Sequence, residues 1–168
     1  MRILNNRTVL SALAALVLAG CGYSIRPPYD KSIKTVYVPI FRSQSFHKDI
    51  NMMITERVIK EINDRTPYKV VNSPEGADTI LEGFVTYFDT NVQVESPFNL
   101  PRHLNTMMTV EVKFYDNRPG APDKPVQSVI VTDTAPFYPE LGETSLLAIE
   151  KSIDKMVRQI VGMMEEKW

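Results

Sequence analysis

The sequence predicts an α+β fold, a two-layer sandwich in which two α-helices pack on one face of a mixed four- to five-stranded β-sheet. Three observations carry it. Two stretches, residues 49–64 and 143–167, repeat apolar side chains at three- and four-residue steps. Several others alternate apolar and polar residues with a period of two, and clusters of Pro, Gly, Asn and Asp separate the segments.

In chain order, residues 34–41 (KTVYVPIF) set Val36, Val38 and Ile40 against Thr35, Tyr37 and Pro39. That is a half-buried strand, with Pro39 marking its end or an edge. Ile50, Met53, Ile54, Val58 and Ile62 then form the apolar stripe of a helix over 49–64, which must stop before Pro67. Residues 68–71 make a short strand, followed by the turn at 72–76. Parallel pairing of these two strands follows from the helical crossover between them. Residues 79–95, rich in β-branched and aromatic side chains, form one long strand that bends, and Gly83 within it marks a bulge or the close packing of a helix. Over 106–116, Met108, Val110, Val112 and Phe114 face one way, and Thr109, Glu111, Lys113 and Tyr115 the other. Turn residues at 117–125 lead into a strand over 126–134. The last helix, 143–167, covers the sheet with Leu146, Ile149, Ile153, Met156, Ile160 and Met164, broadened by Val157 and Met163. The Met52-Met53 and Met163-Met164 pairs read as core filler.

Ahead of this body lies a secretory leader. Arg2 and Arg7 give a short positive region and residues 8–18 an apolar one about half the roughly 20 residues a membrane-spanning helix needs, so cleavage fits better than retention. Leu18, Ala19, Gly20 and Cys21 resemble the lipobox of bacterial lipoproteins. Small residues there admit the signal peptidase, and the Cys21 thiolate accepts the lipid. The alternative is an ordinary signal peptide ending before a free cysteine. The expected organisation is therefore a signal peptide at 1–20, a lipidated tether at 21–32 extended by Pro27-Pro28, and a single domain over 33–168. Several acyl chains on Cys21 make attachment stable where one would not. Gly22, where the familiar sorting pattern for inner-membrane retention has Asp, points to the outer membrane.

Composition excludes several classes. The net charge is −1, and removing Arg2 and Arg7 makes it more negative, which argues against a nucleic-acid binder or a general anionic-surface binder. Cys21 is the one cysteine, so no intramolecular disulfide forms. His47 and His103 are the two histidines, neither with a ligand partner at metal spacing, and no nucleophile elbow or zinc-protease motif is present. No catalytic residue, metal or cofactor is expected.

Four stretches resemble one family, the lipopolysaccharide-assembly lipoproteins known as LptE: Cys21-Gly22-Tyr23, the TVYVPIF run at 35–41, RTPYKVV at 65–71, and GADTILEG at 76–83. With the final helix they span nearly all of the mature chain. The resemblance implies a non-catalytic outer-membrane lipoprotein on the periplasmic side that plugs the LptD β-barrel, steadies it and assists lipopolysaccharide transport. A competing expectation is an accessory structural lipoprotein of another envelope or secretion complex that oligomerises with itself. A third is a carrier of lipid or peptide, which requires an enclosed apolar cavity.

From the residues alone, the segment 96–103 draws attention, because a hairpin loop there would present Phe98 and Leu100 beside Arg102 and His103 to a barrel wall or an acylated glycan. The competing reading is a proline-stiffened loop covering the sheet end. Arg118 and Lys124 on the next loop are further candidates for anionic lipid, or simply solvated charges.

Overall fold

A computed structural model describes residues 29–43, 48–95 and 101–165. Its order is β1 (Thr35–Tyr37), β2 (Arg42–Ser43), α1 (Lys48–Arg65), β3 (Lys69–Val71), β4 (Thr79–Glu95), β5 (Pro101–Asp116), β6 (Pro125–Phe137), a 3₁₀ turn (Pro139–Leu141) and α2 (Ser145–Gly162). The sheet has six strands, ordered β3-β1-β4-β5-β6, with β2 adding to β4 beyond β1. Strand β1 pairs in parallel with both β3 and β4, while β4, β5 and β6 form an antiparallel meander.

The two-residue alternation decides the layers. Val36, Leu81, Val85, Met108, Val110, Val112, Phe114 and Val131 point from the sheet into a core closed by Ile50, Ile54, Val58 and Ile62 of α1 and by Ile153, Met156, Val157 and Ile160 of α2. Both helices therefore lie on one face, as the periodicity of each stripe requires. Arg57 reaches Asp154 at 3.2 Å between the helices, and Lys155 reaches Asp133 of β6 at 3.6 Å.

Several details depart from the sequence expectations. The strand expected over 34–41 is broken at Pro39, which cannot donate to a ladder, and resumes as β2 one step further along β4; this adds the sixth strand. Gly83 sits neither at a bulge nor under a helix. It pairs regularly with Val112, and its bare Cα admits the buried ring of Phe41; the bulge that bends β4 comes later, between Val85 and Tyr87. The last helix is shorter than 143–167. Thr144 caps it, its side chain accepting from the Leu147 N–H at 3.4 Å. Strand β5 begins at Pro101, so Arg102 and His103 belong to a strand and not to the hairpin loop. Met164 is buried and Met53 partly buried, but Met52 is exposed.

Two of the stretches that carried the family resemblance, 35–41 and 76–83, meet at one sheet junction. Asp78 Oδ2 accepts from the backbone N–H groups of Lys34 at 2.8 Å and Thr35 at 2.9 Å, and from the Thr35 hydroxyl at 3.0 Å. The Asp78 N–H in turn donates to Thr35 Oγ1 at 2.9 Å. Thr79 Oγ1 donates to the Thr35 carbonyl at 3.1 Å, and Asn117 Nδ2 to the carbonyls of Pro74 and Ala77. These donors hold the Asp78 carboxyl below its ordinary pKa, led by the Lys34 and Thr35 backbone groups. This network latches β1 to the start of β4.

Candidate partner-docking surface

Helices α1 and α2 both begin at the same end of the sandwich, and β4 and β5 run on past them. Beyond Phe88 and Thr90 the hairpin has no helical cover, so Val92 and Val94 are exposed although they alternate with polar neighbours as core residues would. Next to it lie the 3₁₀ turn and the start of α2. There Tyr138, Leu141, Leu146 and Leu147 are exposed, Leu141 at 77%. Between the two helix starts and β4 opens a cleft of about 330 Å³, walled by Ile50, Met53, Phe88, Leu146 and Ile149 and rimmed by Asp49, Thr90 and Ser145. Scattered apolar side chains on a surface need no explanation, but a contiguous group at one end does.

The segment that presents Leu141 is fixed from four directions. Arg102 Nε donates to Glu140 Oε1 at 2.9 Å. The His103 ring stacks on Tyr138 with centroids 4.8 Å apart and planes 13° apart. The Tyr138 N–H donates to Glu143 Oε2 at 3.0 Å, and Gly142, at φ 79°, closes the turn with its N–H on the Pro139 carbonyl at 2.9 Å. A side chain left in water on so constrained a backbone has little more order to lose on binding. His103 Nε2 is buried and without a hydrogen-bond partner among the described residues.

The opposite end is polar. Arg118 forks onto Asp116 through Nε at 2.8 Å and Nη2 at 2.5 Å, and its Nη1 donates to Ser32 Oγ at 3.0 Å. The guanidinium holds the Asp116 carboxyl below its ordinary pKa, and the carboxylate raises that of Arg118. Lys124 is exposed beside it. Tyr29 docks edge-on against Tyr68 with centroids 5.6 Å apart, so the chain enters the fold at this end, near the last residues of α2.

The candidates from the sequence thus do not form one site. Arg102 and His103 stand at the apolar end and Arg118 and Lys124 at the other, separated by nearly the full length of β5, about 45 Å. Phe98, Leu100, Cys21 and the lipobox residues Leu18, Ala19 and Gly20 lie outside the described residues. The sequence reading missed Leu141 and Leu147. A usable signal was the adjacent pair Leu146-Leu147, since neighbouring helical positions are about 100° apart and a narrow stripe cannot bury both; here both are exposed, including Leu146, which the stripe assigns to the sheet. Among the described residues no helix is long and apolar enough to cross a membrane, and no three His, Cys, Asp or Glu gather as a metal site.

Comparison with known proteins adds the following. A model of the lipopolysaccharide-assembly family LptE matches residues 33–164. No curated protein sequence matches. Among solved structures, uncharacterized lipoprotein B from Nitrosomonas europaea is similar, with a TM-score of 0.55 and 18% identity over 83% of this chain and 88% of that one. A PelC dodecamer from Paraburkholderia phytofirmans gives 0.59 and 12% over 84% and 96%. A hypothetical protein from Chlamydia trachomatis gives 0.59 and 10% over 78% and 95%. At these identities the likeness is one of fold.

Proposed function

Because the chain belongs to the LptE family of lipopolysaccharide-assembly lipoproteins, which are outer-membrane accessory proteins without enzymatic activity, we propose that it works as a plug: its apolar end seats in the lumen of an LptD-type β-barrel. The observation that carries this reading is Leu141, three-quarters exposed on a backbone immobilised by Arg102–Glu140 and His103–Tyr138, at the centre of an apolar end that also holds Val92, Val94, Leu146 and Leu147. Stable protein interfaces bury roughly 1,200–2,000 Å² in total, with the energy concentrated in a few well-packed anchors. A fixed leucine flanked by valines and leucines supplies such an anchor. The acyl chains on Cys21 would hold the body at the membrane, at the chain-entry end of the sandwich, and leave the apolar end free to dock.

Contact with lipopolysaccharide phosphates, if made through Arg102 or Arg118, would exchange one anion for another, since each already faces a carboxylate. Lys124 involves no such exchange of a fork-shaped pair. The carrier reading gains no support, because the cleft beside Phe88 is at the small end of ligand-pocket sizes and opens to solvent at the edge of the sandwich.

The test is Leu141→Glu. The variant should keep the wild-type melting temperature, because the residue makes few contacts within the fold, and should lose co-purification with the barrel from outer membranes. Undiminished co-purification would refute the assignment of this end.

A further inference from the structure

Strand β6 is the outer strand of the meander, paired with β5 on one side and, among the described residues, with no strand on the other. Its thirteen residues, PVQSVIVTDTAPF, carry one charge, Asp133, and that side chain turns inward toward Lys155 of α2. Long neutral edges of β-branched residues are what folded proteins ordinarily interrupt with Lys, Pro or a bulge. Here Pro125, Pro136 and the irregularity at Val126 mark the ends and Asp133 is the one inward charge, while between residues 127 and 132 no charge, proline or bulge interrupts the strand and Ile130 stands 68% exposed. Such an edge offers a row of backbone donors and acceptors to another strand.

We propose that the occupant is the β6 strand of a second copy of this chain, paired antiparallel about a two-fold axis at Ile130. Two observations select it. Antiparallel partners in a two-fold pair have residue numbers that sum to a constant, and centring on Ile130 aligns residues 127–133 of both copies, the regular stretch beyond the irregularity at Val126, where β6 carries one extra residue against β5. On the open face this sets Ser128 against Thr132. On the helix face it sets Val129 against Val131 and Gln127 against Asp133. The last pair matters most. Asp133 directs Oδ1 to Lys155, but its Oδ2 is buried with no hydrogen-bond partner among the described residues. A buried carboxylate oxygen without a donor is costly, and the carboxamide of the partner's strand brings a donor directly opposite it. Shifting the centre by one residue either way removes that match, placing Val129 or Pro125 opposite Asp133. The charges agree. No like-charged residues fall opposite each other, and the two Asp133–Lys155 pairs lie about 20 Å apart on either side of the axis, beyond a Debye length in ordinary salt. The pairing extends both sheets into one with all four helices on the same side. It uses the flank of the molecule, and because the strands run antiparallel it turns the two apolar ends in opposite directions, so it describes the chain outside the barrel and does not depend on the plug reading.

The geometry permits a sharp test with the full lipidated chain in detergent. At the axis, position 130 faces itself with Cα atoms about 4.5–5.5 Å apart, within disulfide reach, whereas positions 128 and 132 lie about 14 Å from their own copies. Ile130→Cys should form a disulfide-linked dimer under mild oxidation. Ser128→Cys and Thr132→Cys should each fail alone and crosslink when mixed. The wild-type chain, with Cys21 alone, is the control. As a second readout, sedimentation of Gln127→Glu should show dimerisation weakened about tenfold or more, because it sets a carboxylate against Asp133, with an unchanged melting temperature for the monomer. Absence of the 130–130 link, equal linking at all three positions, or linking of residue 130 to an outer-membrane protein in place of its own copy would each overturn the proposal.

Discussion

Gly83→Ala should destabilise the protein far more than a methyl group usually does. The hydrogen at Gly83 faces the ring of Phe41, and a Cβ built there would fall on the Cδ2 and Cε2 atoms and lie 2.5 Å from Cζ. Carbon atoms prefer about 3.5–4.0 Å, so the ring would have to move by more than an ångström. It has nowhere to go. Phe41 is fully buried in the main core, and its backbone N–H is tied to the Thr55 hydroxyl at 3.0 Å. Overpacking of this kind costs roughly 1–3 kcal/mol when neighbours can yield, and expelling the ring altogether would cost about 3–5 kcal/mol, so about 3 kcal/mol is expected. For a domain of this size that corresponds to a fall in Tm of roughly 9–12 °C. Thermal unfolding by circular dichroism, with urea denaturation for the free energy, measures it. The double variant Gly83→Ala/Phe41→Leu supplies the control. With the ring gone, the added methyl should cost less than about 1 kcal/mol, giving a coupling of roughly 2 kcal/mol in the cycle. A single variant that melts with the wild type, or strictly additive effects, would refute the claim that this glycine exists to admit Phe41.

Other expectations are as direct. Val110→Asp places an unpaired carboxylate at a fully buried position in the middle of β5 and should cost several kcal/mol, seen as loss of a cooperative thermal transition at 37 °C; a melting curve like the wild type's would contradict the observed strand facing. Asp78→Asn removes a charge whose folded-state pKa lies below its unfolded value. That charge contributes stability above the ordinary carboxylate range and loses it as pH falls through the folded pKa, so the variant should be about 1–2 kcal/mol weaker at pH 7 and converge with the wild type in acid. A difference that persists unchanged in urea titrations at low pH would count against the latch. Cys21→Ser should abolish lipid labelling and membrane fractionation while leaving the soluble body folded, and normal membrane recovery would show that attachment lies elsewhere.

Much of this fold was legible in the sequence because one periodicity decided each layer. The alternation through Met108, Val110, Val112 and Phe114 named the buried face of β5, and the stripe from Ile50 to Ile62 named that of α1. The parallel pairing of β1 with β3 followed from the crossover alone. What escaped was tertiary. Val92 and Val94 alternate as well as any core pair, yet the helices stop short of them, and no local pattern reports where the second layer ends. Arg102 and His103 were expected on a loop because they follow Pro97 and Pro101, but pairing with β4 extends β5 through them, His103 opposite Val94. Gly83 was expected at a bulge or against a helix, and it faces an aromatic ring instead. Its partner, 42 positions earlier in the chain, could not be named without the pairing of β2 with β4.

Which end of the molecule meets another protein decides between plug and bystander. A photo-crosslinking amino acid placed in living cells at position 141, with position 124 at the opposite end as the comparison, measures this directly. The plug reading expects residue 141 to capture an outer-membrane β-barrel in about 1:1 stoichiometry and residue 124 to capture it far less. Capture of the barrel from position 124 alone, or from neither position, would contradict it.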